Sequence, residues 1–177
     1  MKYFLLLLLF PFFSFGQSTI NEDSVVHYFK NILNDYRKKN KLVELTVDSS
    51  IKRFTQSHAI FMASSHKVTH GEGQNHFIER YYREFKTGFG GENCCEVLVP
   101  EKGQFKSLKS SCDEMNPIIE KILKNGVDNY QLALYAFVTW KNSKSHNEFM
   151  LNNLVTRFNM SFRKSGLRYY FEYVALN

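Results

Sequence analysis

Three short segments of the chain carry residue types used in acid–base chemistry and metal binding. His70 lies in Val-Thr-His-Gly, Glu92 lies in Gly-Glu-Asn-Cys, and His146 lies in a segment that begins at Trp140. If the fold brings these segments together, two imidazoles and one carboxylate share one cleft. Such a set can bind zinc or another divalent ion, or can act as general acid and base.

The N-terminus has the features of an export signal. Lys2 precedes an apolar run, and small residues follow it near position 16. The run is shorter than the roughly 20 residues that span a bilayer. We therefore expect residues 1–16 to be a signal peptide that is cleaved, leaving no stable membrane anchor, and we expect the protein to be exported to the periplasm or the extracellular space.

The composition of the remaining chain fits one packed domain. Aromatic residues make up 16% of the sequence, which favours a buried core over a disordered secreted tail. The formal net charge is +6, and the basic residues are spread along the chain. Because no dense basic block with interleaved aromatics is present, we expect no nucleic-acid binding.

The chain has three cysteines, Cys94, Cys95 and Cys112. They allow one disulfide in an oxidising compartment and leave one thiol over. A bridge between the two adjacent cysteines would close a strained small ring, whereas Cys112 can pair with either of them. A catalytic thiol is not expected, because exported proteins usually oxidise exposed thiols.

The hydrophobic pattern predicts two helices before the first histidine of interest. After a polar linker, residues 17–24, apolar residues recur at helical spacing and predict a helix over residues 24–39. Asp48 or Ser49 can cap a second helix, and His58 lies on its apolar face. We therefore interpret His58 as a core histidine with one hydrogen bond.

The middle of the chain is expected to connect the candidate segments. His70 precedes a glycine and is placed in a loop, and a third short helix is expected over residues 76–85. Glycines then permit a tight turn or a close backbone approach just before Glu92. Residues 100–126 are interpreted as an addition on the surface, and residues 130–140 as a buried helix that ends before His146.

The C-terminal segment changes to a period of two. Apolar residues alternate from Phe158 and again from Leu167, on either side of a predicted turn at residues 163–166. This pattern predicts a terminal β-hairpin. Helices first and an antiparallel pair last indicate an α+β domain in which helices cover a sheet.

In order and spacing, these motifs resemble the CAP superfamily, which contains the cysteine-rich secretory proteins, antigen 5 and the pathogenesis-related proteins. The chain is most similar to the bacterial SCP-like extracellular branch, and the likeness covers residues 25–177. The residues that carry it include Leu33-Asn-Asp-Tyr-Arg37, Thr69-His70, Gly91-Glu92-Asn93 and Trp140-x-x-Ser143-x-x-His146-Asn147.

The resemblance implies a three-layer α-β-α sandwich with a central antiparallel sheet and a cleft. By motif, His70 and His146 are the metal-binding histidines, and Glu92, Asn93 and Ser143 are the other cleft residues. Animal and plant members have a second glutamate where this chain has Ser143. A serine cannot replace that charge, which argues against a mechanism that needs two carboxylates.

These expectations favour a binding or interaction module over an enzyme, although the question of catalysis stays open. The cleft would hold zinc or another divalent metal weakly, or an unknown small ligand, and the partner would be a lipid, a glycan or a protein. One alternative is a metal-assisted hydrolase of peptides or esters that uses Glu92 and the two histidines. Another is a structural envelope protein with a vestigial cleft, in which Glu92 braces a turn through backbone N–H groups and His146 caps the end of its helix.

Overall fold

The computed structural model describes residues 20–86 and 88–177, so the predicted signal peptide lies outside the described residues. Within that part of the chain, no helix is both long and apolar enough to cross a membrane. The elements in chain order are α1 (Glu22–Lys39), β1 (Thr46–Val47), α2 (Lys52–Ser65), β2 (Gly71–Glu72), β3 (Asn75–His76), α3 (Phe77–Phe85), β4 (Gly90–Leu98), α4 (Asn116–Asn125), α5 (Asn129–Lys141), α6 (Lys144–Met150), β5 (Arg157–Ser165) and β6 (Arg168–Leu176).

A four-stranded sheet forms the centre of the domain, in the order β1-β5-β6-β4. Strands β4, β5 and β6 pair antiparallel, whereas the two-residue edge strand β1 runs parallel to β5. The terminal hairpin predicted from alternation is confirmed as β5 and β6. Strands β2 and β3 form a separate small hairpin.

Both faces of β6 are covered by helices, since all of its residues after Arg168 are buried. One face belongs to the large core shared with α1 and α5, and its residues include Phe171 and Tyr173. The opposite face packs with residues of α2 and α3, and its residues include Tyr170 and Val174. A strand covered on both sides in this way is the middle layer of a sandwich.

Helix α1 holds the loop that follows α6. Arg37 is 1% exposed, and its Nη1 donates hydrogen bonds to the backbone oxygens of Met150 at 2.7 Å and Asn152 at 3.0 Å. Buried Asn34 bonds both the N–H and the carbonyl of Leu45. The polar residues of the first-helix motif therefore fix neighbouring backbone, including the end of the helix that carries His146.

The structure corrects three predictions made from the sequence. Of the two alternatives for the glycines before Glu92, the tight turn is wrong, because Gly90, Gly91 and Glu92 lie inside strand β4, which pairs along its whole length with β6. The region of residues 100–126 was expected on the surface, but Ile118, Ile119 and Ile122 of α4 are buried in the large core. The predicted linker also ends early, because Asn21 caps α1 and the helix begins at Glu22.

Candidate functional site

Glu92 connects a half-exposed histidine to a buried arginine. Its Oε1 lies 2.9 Å from Nδ1 of His70, and its Oε2 accepts a hydrogen bond of 2.8 Å from Nη2 of Arg80. The Glu92 side chain is 2% exposed, whereas that of His70 is 55% exposed. The interpretation that Glu92 braces a turn through backbone N–H groups is wrong, because it lies in a strand and these partners are side chains.

The second histidine lies beside the first. The ring centroids of His70 and His146 are 6.5 Å apart. Asn93 Nδ2 donates a 3.0 Å hydrogen bond to the backbone oxygen of His146, which joins β4 to α6. A Cβ on Gly91 would lie 2.6 Å from Cε2 of Phe149, so only glycine lets α6 pack this closely on the strand. The prediction of a close backbone approach before Glu92 is therefore confirmed.

Ser143 occupies the N-cap position of α6, and its side chain makes no capping hydrogen bond. His146 therefore lies in the first turn of that helix, and the alternative in which it caps a helix end is wrong. The next residue, Asn147, accepts a 3.1 Å hydrogen bond from the hydroxyl of Tyr36 on α1. Helix α6 is thus held from the sheet side by Asn93 and from the helix side by Tyr36.

His58 is fully buried, which confirms its interpretation as a core histidine, and it makes two hydrogen bonds instead of the one expected. Its Nδ1 lies 2.9 Å from Glu72 Oε1, and its Nε2 lies 2.7 Å from the backbone oxygen of Thr69. Glu72 is also 3.4 Å from Nη1 of Arg80. His58 therefore anchors the loop residue that directly precedes His70.

A group of residues close enough to hold a metal lies on the buried side of Glu92. One ligand atom from each of His58, Glu92 and Cys94 falls within 4.8 Å of the others. Both ring nitrogens of His58 already face an oxygen atom, Oε1 of Glu72 and the carbonyl of Thr69. Burial, and next the charge of Glu92, raise the pKa of the Cys94 thiol well above its ordinary value. Neither ring nitrogen of His58 is therefore directed at an empty position, and Cys94 is a neutral thiol, which is not the form that binds metals.

A family model described as the cysteine-rich secretory protein family, CAP, matches residues 30–177. The chain belongs to the CAP family. Among curated proteins, none matches it. This match confirms the resemblance that the motifs and their order predicted.

Solved structures share the fold of this CAP domain. An extracellular protein containing a SCP domain from Bacillus anthracis matches with a TM-score of 0.61 and 15% identity, over 88% of this chain and 41% of that one. An outer surface protein from Borrelia burgdorferi matches with a TM-score of 0.60 and 14% identity, over 85% of this chain and 90% of that one. The CAP domain of Enterococcal PrgA matches with a TM-score of 0.50 and 16% identity, over 90% and 63% of the two chains. These similarities confirm the predicted α-β-α sandwich.

His70 and His146 of this CAP domain have opposite pKa shifts. The hydrogen bond with Glu92 raises the pKa of His70, against the effect of burial. Burial, and next the charge of His70, lower the pKa of His146. Burial acts to raise the pKa of Glu92, but the bonds with His70 and Glu172 and the charge of Arg80 together keep it below its ordinary value. Glu92 is therefore an anion at neutral pH, and His146 is a neutral imidazole.

Sequence reasoning missed three polar residues of this region: Glu72, Arg80 and Glu172. The Arg80 side chain is 4% exposed and forms ion pairs with the carboxyl groups of Glu72, Glu92 and Glu172. The distance to Glu172 is 3.4 Å. Its guanidinium also stacks over the ring of Phe54 at 4.9 Å. The available signal was weak, because Arg80 stands among charged residues of α3 that are exposed, such as Arg83.

Proposed function

We propose that this CAP domain is an exported binding module whose cleft holds a divalent metal ion on His70 and His146. The observation that carries the proposal is the contact between Glu92 Oε1 and His70 Nδ1 at 2.9 Å. Because Nδ1 faces the carboxylate, Nε2 is the ring nitrogen that can bind a metal in the cleft. A carboxylate behind a ligating imidazole fixes the tautomer and raises the basicity of the ligand.

The two histidines fit a metal site that is open to solvent and has low affinity. Zinc–nitrogen distances of about 2.1 Å put the centroids of two rings on one ion about 5–6 Å apart, so the present 6.5 Å requires only a small inward shift. Two protein ligands leave positions for water or for a polar group of a small ligand. We expect weak binding, because catalytic zinc sites commonly use three protein ligands.

The contacts of Glu92 support binding over the hydrolase alternative. A general base must reach the water that it activates, but one oxygen of Glu92 bonds His70 and the other bonds Arg80. Both carboxylate oxygens of Glu92 are therefore engaged by His70 and Arg80. The hydrolase mechanism needs one of these oxygens to activate a water molecule.

Export and surface partners belong to the same proposal. Two proteins of similar fold are described as extracellular and as an outer surface protein, which supports export of this chain. A lipid, a glycan or a protein at the cell surface is the class of partner that such a location offers. Mass spectrometry of the mature N-terminus tests the export step, with cleavage after residue 16 expected.

Zinc titration by calorimetry tests the metal site. We expect one weak site in the wild type and at least about tenfold weaker binding in H70A and in H146A, because each removes one of two ligands. His27→Ala is the matched control, since His27 is an exposed histidine on α1. Equal binding by wild type, H70A and H146A, or no binding by the wild type, would contradict the proposal.

A further inference from the structure

Glu172 has a buried carboxyl group next to the carboxylate of Glu92. It lies on the central strand β6 and is 0% exposed. In the antiparallel register, Cys94 is opposite Glu172 and Glu92 is opposite Val174. Glu92 and Glu172 are therefore diagonal neighbours on one face of the sheet, within reach of each other's side chains.

The two carboxyls share one arginine. Nη2 of Arg80 lies 2.8 Å from Glu92 Oε2 and 3.4 Å from Glu172 Oε1. The same guanidinium nitrogen therefore lies against both carboxyl groups. Ionised carboxylates are acceptors only, so a hydrogen bond between two of them requires a proton on one.

The unpartnered oxygen indicates which residue carries that proton. Among residues 20–86 and 88–177, no donor contacts Glu172 Oε2, which is buried. A buried acceptor without a donor is costly, and more so when it is charged. Glu92, in contrast, has His70 and Arg80 on its two oxygens. The proton therefore belongs on Glu172.

The charges around Glu172 lead to the same assignment. The groups that face it are Arg80 from α3 and Glu92 and Cys94 from β4, with Ser161 opposite on β5. Arg80 also pairs with Glu72 beyond them. His58 of α2 contacts Glu72, and His70 contacts Glu92, so Glu72 and Glu92 each have a histidine besides Arg80. Glu172 has only its share of Arg80, and an ionised carboxylate without a partner of its own is strongly unfavourable in a buried region. Burial, and next the hydrogen bond with Glu92, raise the pKa of Glu172 well above its ordinary value.

We propose that Glu172 is a further residue of this site: it is held as a neutral acid and donates a hydrogen bond to Glu92, which positions that carboxylate toward His70. The chain thus has a second carboxyl beside Glu92, which β6 supplies on the same face of the sheet, whereas the position of Ser143 supplies none. The pair carries one proton. Glu172 is a positioning residue that acts through Glu92, and this role does not depend on metal binding.

Carboxyl-carbon NMR of the metal-free protein at neutral pH measures the proton directly. We expect one glutamate side chain with the chemical shift of a protonated acid, lost in E172Q and retained in E96Q. Glu96 is the matched control because it lies on β4 but pairs with Arg168. If every glutamate of the wild type titrates near its ordinary pKa of about 4.3, the proposal is overturned, whether or not any variant folds.

The titration of His70 tests the positioning role. The side-chain amide that E172Q introduces can donate to Glu92 and accept from Arg80, so we expect the pKa of His70 to stay raised in that variant. In E172A the donor is lost, and we expect the pKa of His70 to fall toward about 6.5. An equal change in E172Q and E172A would show that Glu172 acts as a charged carboxylate, and no change in E172A would show that it does not position Glu92. Either result overturns the proposal.

Discussion

The two sides of Glu92 have different chemistry although they share one carboxylate. On the outer side, Oε1 contacts His70, an imidazole that is half-exposed and that the proposed function assigns to a metal. On the buried side, Oε2 meets Arg80, a permanent cation that is itself enclosed. In the proposed function, the outer side is the part that binds, while the inner side holds the carboxylate in place.

The largest effect is expected from removing the cation of the inner side. Arg80→Met leaves Glu92 and Glu72 without the guanidinium that pairs with both. Breaking a buried ion pair by removing one partner lowers the free energy of unfolding by about 3–5 kcal/mol. Urea denaturation measures this, with Arg83→Met on the exposed side of α3 as the control, expected within about 0.5 kcal/mol of wild type. If the two variants are equally stable, the inner side is not the fixed part of the site.

A smaller effect is expected where α6 packs on the strand. Gly91→Ala places a Cβ about 2.6 Å from the ring of Phe149, and such overpacking costs about 1–3 kcal/mol. Because α6 carries His146, zinc binding should weaken as well. Thermal and urea unfolding of G91A, F149A and the double variant form a cycle. Additive effects in that cycle would mean that the clash is not with Phe149.

The pH dependence should separate the outer side from the inner side. Since the pKa of His70 is raised in the fold, its bond with Glu92 stabilises fully below the unfolded pKa of 6.5 and is lost as pH rises through the higher folded value. We expect the free energy of unfolding to fall in that window in wild type, and to fall less in H70Q. Because His70 is half-exposed, the change should be small. An equal fall in H70Q would assign it to another group.

The smallest expected effect concerns thiol reactivity. The structure has Cys94, Cys95 and Cys112 as free thiols, with the first two buried and Cys112 half-buried. Burial raises the pKa of Cys94 and Cys95 well above the ordinary value, and thiolate is the reactive form. Iodoacetamide labelling followed by peptide mass spectrometry should therefore modify Cys112 first. Rapid labelling of Cys94 would show that the buried side of Glu92 is open to solvent.

The sequence was sufficient to predict the elements whose pattern is local. Helices α1, α2 and α5 and the β5–β6 hairpin follow from periodicity, since each repeats its apolar residues along its own length. Strand β4 was missed because Gly90, Gly91, Glu92 and Asn93 have neither alternation nor strand-favouring side chains. That segment becomes a strand because β6 pairs with it along its full length.

The outer part of the site was also more predictable than the inner part. His70 and His146 lie in motifs of recognisable order, and the structure puts their rings side by side. Glu172, in contrast, alternates with Phe171 and Tyr173, a pattern typical of a strand with one solvent face. Helices α2 and α3 cover that face instead. Such burial depends on tertiary packing, which no local pattern in β6 or around Arg80 reports.

Nitrogen NMR of the histidine rings during zinc titration tests the central claim most directly, because it reports which imidazoles bind. We predict that Nε2 of His70 and a ring nitrogen of His146 shift together as zinc is added, while both nitrogens of His58 stay unchanged because Glu72 and the Thr69 carbonyl hold them. A zinc-dependent shift of His58, with His70 and His146 unaffected, would place the metal on the buried side of Glu92 and contradict the account.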